Sequence, residues 1–481
     1  MSIEIPTHET SGSHDPAAAS AIAEDIGSMR LAGEMAHFPL VDLPQEILIE
    51  ILQFSGNAHG GQANAVNPLF LARICRSWRA VVFGTRAFWQ EVNLILNSRC
   101  STQISLLEEW TSRAGGLPLS ITIVDPDDIL ETLYSKELTC FLDLLRSLSP
   151  QTHSLSLETP VIFYDRWCDR GFIDYSWPLL SNLVLSTDLG SPELSDPSRQ
   201  LDFLSCPILT SATIKSFYHS HIALPWRSLH HLCFVGVFCS ELYDALESCP
   251  LLQTLKARGI IEDDNFSANT IDHHSLKQLT FELDESQGDC GQCCRLLNSL
   301  RLPELQTLVL KLGPSMPTSG FRVDIYPCIS QSGCQLSELT IEGAALKEKV
   351  FMDCLRLLPT LDTLQLSKNT WLNAQGEFIG LGPTSLSLMM AVGHDGLLML
   401  PNLKALSLMG SSVVFSGKLV LELLGSRWDK VEEDDGALAT LQSVTLIPER
   451  ENSSLWVWGA NKDEQAIFET WRRQGYSVKV E

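Results

Sequence analysis

The chain lacks any window of 18 consecutive apolar residues, so a membrane-spanning helix is not expected. Its first nine residues hold neither a basic stretch nor an apolar core, and a secretory signal is not expected either. Basic residues are scarce: 34 Lys and Arg face 58 Asp and Glu, for a net charge of −24. A surface of that sign repels phosphate backbones and argues against nucleic acid as a partner. Fourteen cysteines in 481 residues are too sparse for a disulfide framework, and reduced thiols acting as small apolar side chains are expected. The densest group, Cys290, Cys293 and Cys294, has no second ligand pair at matched spacing. His273 and His274 are adjacent rather than three or four apart, so no metal site and no cofactor are expected.

Catalytic signatures are also missing. Gly417-Lys418 has the look of a phosphate loop, but Ser412 stands where its first glycine belongs and Leu419 replaces the magnesium-binding hydroxyl. No Gly-x-Ser-x-Gly elbow and no His-Glu-x-x-His helix occurs. Residues 393–396 read as a polar turn and the acidic run 432–435 as a solvated loop. An enzyme is therefore not expected. The expected location is the cytoplasm, the nucleus or both, where the sequons at Asn265 and Asn452 would carry no glycan.

What is present is apolar patterning, with 44% hydrophobic residues, enough to bury a sizeable core. Residues 1–37, poor in large apolar side chains, read as a disordered tail. Residues 38–96 read as a small all-helical module. Ile47, Leu48, Ile51 and Leu52 share one helical face, with Pro44 in the first turn and Asp42 as a cap. A Gly/Asn/Ala linker follows to Asn67. Asn67-Pro68 then opens a second helix, whose Leu71, Ile74, Cys75, Trp78 and Val82 lie along one face, and Gly84-Thr85 stops it.

From about Leu117 the spacing becomes apolar, two residues, apolar, one residue, apolar, as in Leu305-Gln306-Thr307-Leu308-Val309-Leu310. It recurs at Leu180/Leu183/Leu185, Leu229/Leu232/Phe234, Leu276/Leu279/Phe281, Leu336/Leu339/Ile341, Leu361/Leu364/Leu366, Leu403/Leu406/Leu408 and Leu441/Val444/Leu446, with weaker copies starting at Thr152, Leu209 and Leu252. The last two apolar positions share one face of a short strand, and the first lies in the turn leading in. Starts at 180, 209, 229, 252, 276, 305, 336 and 361 lie 20 to 31 residues apart, room for one strand and a return segment. Residues 241–247 and 351–358 read as helical returns. No such unit buries its apolar face alone, so the units must stack.

This pattern resembles a leucine-rich-repeat solenoid, with only Asn369 at the position of the usual buried asparagine. The earlier zone, Leu43-Pro44, the aliphatics at 47–52, Ile74-Cys75-Arg76-Ser77-Trp78-Arg79 and Phe88-Trp89, resembles an F-box. The whole order is similar to F-box proteins abundant in mushroom-forming fungi. The expected fold class is α/β: a helical F-box-like module at 38–96, an irregular repeat domain of parallel strands at 97–450, and a C-terminal cap at 451–481.

The resemblance implies a substrate receptor of an SCF-type cullin–RING ubiquitin ligase. The F-box would dock on a Skp-family adaptor, and the repeats would hold an unknown protein substrate for ubiquitin-dependent degradation. It places Leu43, Pro44, Ile47, Leu48, Ile51, Leu71, Ile74, Trp78 and Val82 at or under the adaptor interface. Trp78 and Trp89 are candidate anchors or core residues there. In a repeat horseshoe the residues flanking the inward leucines face the concave surface. The candidate substrate surface is thus Thr280, Glu282, Val309, Lys311, Thr340, Glu342, Gln365, Ser367, Ser407 and Met409. The alternative is a repeat scaffold or ligand sensor with no ligase role, in which 43–96 only shields the first repeat.

Overall fold

The computed structural model describes residues 68–132, 135–169, 175–187, 199–263, 266–267, 269–283, 291–312, 323–379, 381–390, 399–411, 441–448, 462–473 and 477–480, with the short pieces 46–47, 49–50, 419, 421–422 and 424–425. The tail 1–37, the linker 53–67, Leu43, Pro44, Leu48, Ile51, Cys290 and the segments 393–396 and 432–435 lie outside the described residues.

The chain forms two compact units, dividing between Phe88 and Trp89. In the first unit, residues 46–47 and 49–50 are helical, followed by α1 (Pro68–Ile74) and α2 (Arg76–Gly84). The single helix expected from Pro68 to Val82 is broken. Cys75 takes an extended backbone, φ −154° and ψ 173°, and its Sγ accepts the Trp78 N–H at 3.4 Å as an N-cap. The break changes the faces. Leu71 and Val82 are buried while Ile74 points outward, so the one-face stripe drawn for a continuous helix does not hold.

Among the described residues of the second unit, 14 strands form one sheet: β1 (Glu91–Ile95), β2 (Leu119–Val124), β3 (Thr152–Glu158), β4 (Asn182–Ser186), β5 (Ser211–Lys215), β6 (His231–Phe238), β7 (Thr254–Ile261), β8 (Gln278–Glu282), β9 (Thr307–Lys311), β10 (Glu338–Glu342), β11 (Thr363–Ser367), β12 (Ala405–Ser411), β13 (Ser443–Pro448) and β14 (Ser477–Val480). The strands lie in chain order, and each neighbouring pair is parallel. The sheet is open, with β1 and β14 at its ends. Return segments carry α3 (Cys100–Ala114), α4 (Ile129–Thr132), α5 (Ser135–Leu148), α6 (Val161–Asp169), α7 (Cys239–Ser248), α8 (Gly291–Asn298), α9 (Tyr326–Ser332), α10 (Glu348–Arg356), α11 (Pro383–Met390) and α12 (Lys462–Arg473). The expected returns at 241–247 and 351–358 correspond to α7 and α10.

The segment 89–96, expected within the helical module, contributes β1 to this sheet, and β14 extends the sheet into the expected C-terminal cap. Neither strand has a copy of the leucine spacing leading into it. Trp89 is likewise no exposed anchor. It is buried in the second unit, edge-on to Trp110 at 4.9 Å, with the Arg113 guanidinium 5.1 Å from its ring centroid.

The leucine spacing works as a three-point plug. Leu308 and Leu310 point from β9 to the covered side, and Leu305 caps them from the turn; all three are buried. The same holds for Leu336, Leu339 and Ile341, and for Leu361, Leu364 and Leu366. Each such side chain adds about 1.5–3 kcal/mol relative to exposure. Where Thr152 replaces the leading leucine it remains buried, because its hydroxyl donates to the Leu148 carbonyl at 2.8 Å. Asn369 spans two turns: its Oδ1 accepts the Ala344 N–H at 2.8 Å and its Nδ2 donates to the Ile341 carbonyl at 2.8 Å. Under β3 to β5 an aromatic wedge replaces leucine. Phe163, Tyr164, Trp167, Trp177, Phe203 and Phe217 are all fully buried, and Tyr164 lies 4.8 Å from Phe217.

Candidate functional site: an exposed sheet face and an apolar helical surface

Strand alternation turns every second residue of β1 to β13 away from the covered side. Parallel pairing in constant register then aligns these residues into rows. Thr280, Val309, Thr340, Gln365 and Ser407 are register partners in sequence across β8 to β12. Glu282, Lys311, Glu342, Ser367 and Met409 form the next row on the same strands. All ten expected surface residues are therefore brought together, over about 19 Å at about 4.8 Å per strand. All are at least partly exposed.

The rows run further than the ten expected residues. Thr122, Ser156, Val184, Thr213, Cys233 and Lys256 continue the first toward β2, and Val124, Glu158, Ser186, Lys215, Val235 and Arg258 continue the second, with Ser186 buried. The signal for them was in hand, since each occupies the same place in its repeat as Thr280 or Glu282. The face mixes small side chains, mainly Ser, Thr and Val, with charged ones, and its charges are grouped. Glu282 is approached by Arg258 at 2.7 Å, Lys311 at 3.5 Å and Lys256 at 3.9 Å. Glu342 pairs with Lys368 at 3.0 Å and Glu158 with Lys215 at 3.4 Å. The cations are about half exposed, so each pair contributes about 1 kcal/mol or less to stability. What the groups define is a pattern of charge on a rigid support.

The helical unit offers a different surface. Phe70 is 66% exposed, Ile74 52% and Ile47 43%. Trp78 is half-buried, while Leu71 and Val82 are internal. Of the expected interface residues, Ile47 and Ile74 thus lie at the surface, Leu71 and Val82 lie beneath it, and Leu43, Pro44, Leu48 and Ile51 are outside the described residues. Phe70 was not among the expected residues. Its signal was the run Leu69-Phe70-Leu71, which a helix of seven residues cannot turn wholly inward.

Titratable groups elsewhere are held by the fold. The His273 Nε2 donates to the Cys249 carbonyl at 2.8 Å, and burial lowers the pKa of its ring. Cys293 is fully buried, its thiol held well above the ordinary range by that burial. Among the described residues no group of three His, Cys, Asp or Glu side chains is arranged to hold a metal ion, and no helix is long and apolar enough to cross a membrane. Glu241 accepts the backbone N–H of His219 at 2.6 Å and of Phe238 at 3.3 Å, and burial is the main cause that pushes it up to about 7. A groove of about 930 Å³, lined by Leu204, Leu224, Pro225 and Trp226, opens beside this region. No protein-family model matches the chain, and no curated protein matches it.

Proposed function

We propose that the chain is a non-catalytic substrate receptor of an SCF-type cullin–RING ubiquitin ligase, built from an F-box-like module and an irregular leucine-rich-repeat domain. The first unit docks on a Skp-family adaptor, and the exposed face of the repeat sheet holds a protein substrate. The observation that carries this reading is the exposure of Phe70, Ile74 and Ile47 on short helices of a small unit. Large apolar side chains left exposed on a small unit mark a partner site. A unit of this size buries too little surface to hold such a face without a function. The broad, mixed sheet face supplies a second surface on the same chain, as a bridging subunit needs.

The test is capture of a purified Skp-family adaptor by the full chain. Replacing Phe70 and Ile74 together by Ala is expected to weaken capture by about thirtyfold or more, since truncation of interface anchors costs about 2 kcal/mol or more. The melting temperature should stay within a degree or two, because neither side chain is buried. The companion pair Leu43→Ala with Pro44→Ala should weaken capture as well. Capture that is absent from the intact chain, or untouched by both pairs of changes, refutes the reading.

A further inference from the structure

We propose that the centre of the exposed sheet face, where Lys256, Arg258 and Lys311 surround Glu282, binds a carboxylate-rich stretch of a polypeptide partner. The proposal rests on the reading of that face as the substrate surface, and it names the chemistry of what binds there. Three observations carry it.

The first is local charge balance. The ion-pair groups at Glu158–Lys215 and Glu342–Lys368 are one-to-one, whereas Glu282 alone faces three cations within 4 Å. Among the described residues the centre therefore keeps a surplus of two positive charges, in a chain whose net charge is −24. The second is placement. Lys256 and Arg258 lie on β7, Glu282 on β8 and Lys311 on β9, three adjacent strands in fixed register. The cations thus stand on rigid backbone rather than on loops, and Glu282 holds them in place before anything binds. The third is availability. The side chains of Arg258, Lys311 and Lys256 are 48%, 46% and 36% exposed, while that of Glu282 is 20% exposed. The carboxylate is covered and the cations are presented outward. Around them, Thr280, Val309 and Cys233 are small enough to let an extended segment lie close to the sheet. An acidic peptide meets complementary charge there, and the acidic remainder of the surface opposes its binding elsewhere.

The experiment measures fluorescence anisotropy of a labelled oligoglutamate peptide of about a dozen residues with the full-length chain at low salt. Binding is expected, and it should weaken several-fold or more between about 50 and 300 mM salt as the pairs are screened. The combined change Lys256→Gln, Arg258→Gln and Lys311→Gln should weaken it by about tenfold or more, while Arg356→Gln, on the return helix α10, should leave it unchanged. Glu282→Gln removes the internal competitor and should tighten binding by about two- to fivefold. This last variant separates a ligand site from a closed ion-pair cluster, and it keeps the test decisive if the triple variant folds poorly. No binding by the intact chain, equal binding by the triple variant, or weaker binding by Glu282→Gln overturns the proposal. So does an oligothymidylate that binds more tightly than oligoglutamate at these cations. Adaptor capture is scored separately on the same preparation. Its loss sinks the receptor reading and not this one, and failure of the peptide alone sinks only this one.

Discussion

Asn369 is one residue with two buried hydrogen bonds, to the Ala344 N–H and the Ile341 carbonyl. Its replacement by Ala leaves the buried Ala344 N–H without its side-chain acceptor and removes one bond to the Ile341 carbonyl. A buried donor left unsatisfied costs about 1–3 kcal/mol, so Asn369→Ala is expected to lower stability by about that much in denaturant unfolding. Glu241 makes a pH-dependent contribution. Its folded value of about 7 stands above the ordinary 4.5, raised first by burial and then by Asp263 and Asp244 against two backbone donors. The folded chain keeps a proton that the unfolded chain has already released. The stabilisation is complete below about pH 4.5 and is lost as pH rises to about 7. Thermal melts of the wild type minus those of Glu241→Gln should show that decline, and a flat difference across this range would contradict it. Neither role is written in the local sequence. Asn369 was marked by its repeat position, but the two groups it joins were not, and nothing around Glu241 sets it apart from other helical glutamates.

At the scale of elements, strand exits decide how neighbouring repeats stack. Gly236 and Gly259 follow register partners Val235 and Arg258 and take left-handed backbones at φ 72° and 59°. Pairing then resumes at Val237 and Ile260. A Cβ on Gly259 would stand 3.5 Å from the Gly236 nitrogen. Gly259→Val, with a branched side chain in the left-handed region, should therefore destabilise the chain by about 1–3 kcal/mol, read by equilibrium unfolding. Eleven of the strands, β3 to β13, were legible because the leucine spacing coincides with strand alternation. β1, β2 and β14 were not among those copies, since none carries the leading leucine and pairing with a neighbour defines them. The break at Cys75 was also hidden. Helical periodicity runs straight through it, and only the extended backbone of one capping residue interrupts it.

At the scale of the molecule, a sheet whose strands follow chain order couples each repeat chiefly to its neighbours. Leu308→Ala and Leu364→Ala, on β9 and β11 with β10 between them, should each cost about 2–5 kcal/mol and add to within about 0.5 kcal/mol. Leu308→Ala with Leu339→Ala, on paired strands, should depart from additivity by more than that. Double-mutant cycles in denaturant distinguish the two cases. The same architecture explains the candidate surface. All ten outward residues expected on β8 to β12 fell into two rows, because register was constant from strand to strand. The surplus of cations around Glu282 was not foreseen, since Lys256 and Arg258 lie more than twenty residues before it in sequence.

The sequence by itself determined the apolar spacing, hence the repeated strands and the face they bury, because inward and outward positions follow from a period of two along each strand. It also determined the acidic charge and the excess of apolar residues between Pro68 and Val82. Only the tertiary structure decided which of those apolar residues face out, since one extended residue at Cys75 resets the helical phase. Only the tertiary structure assembled the cations of β7 and β9 about one carboxylate, since side chains far apart in the chain become neighbours through sheet register alone.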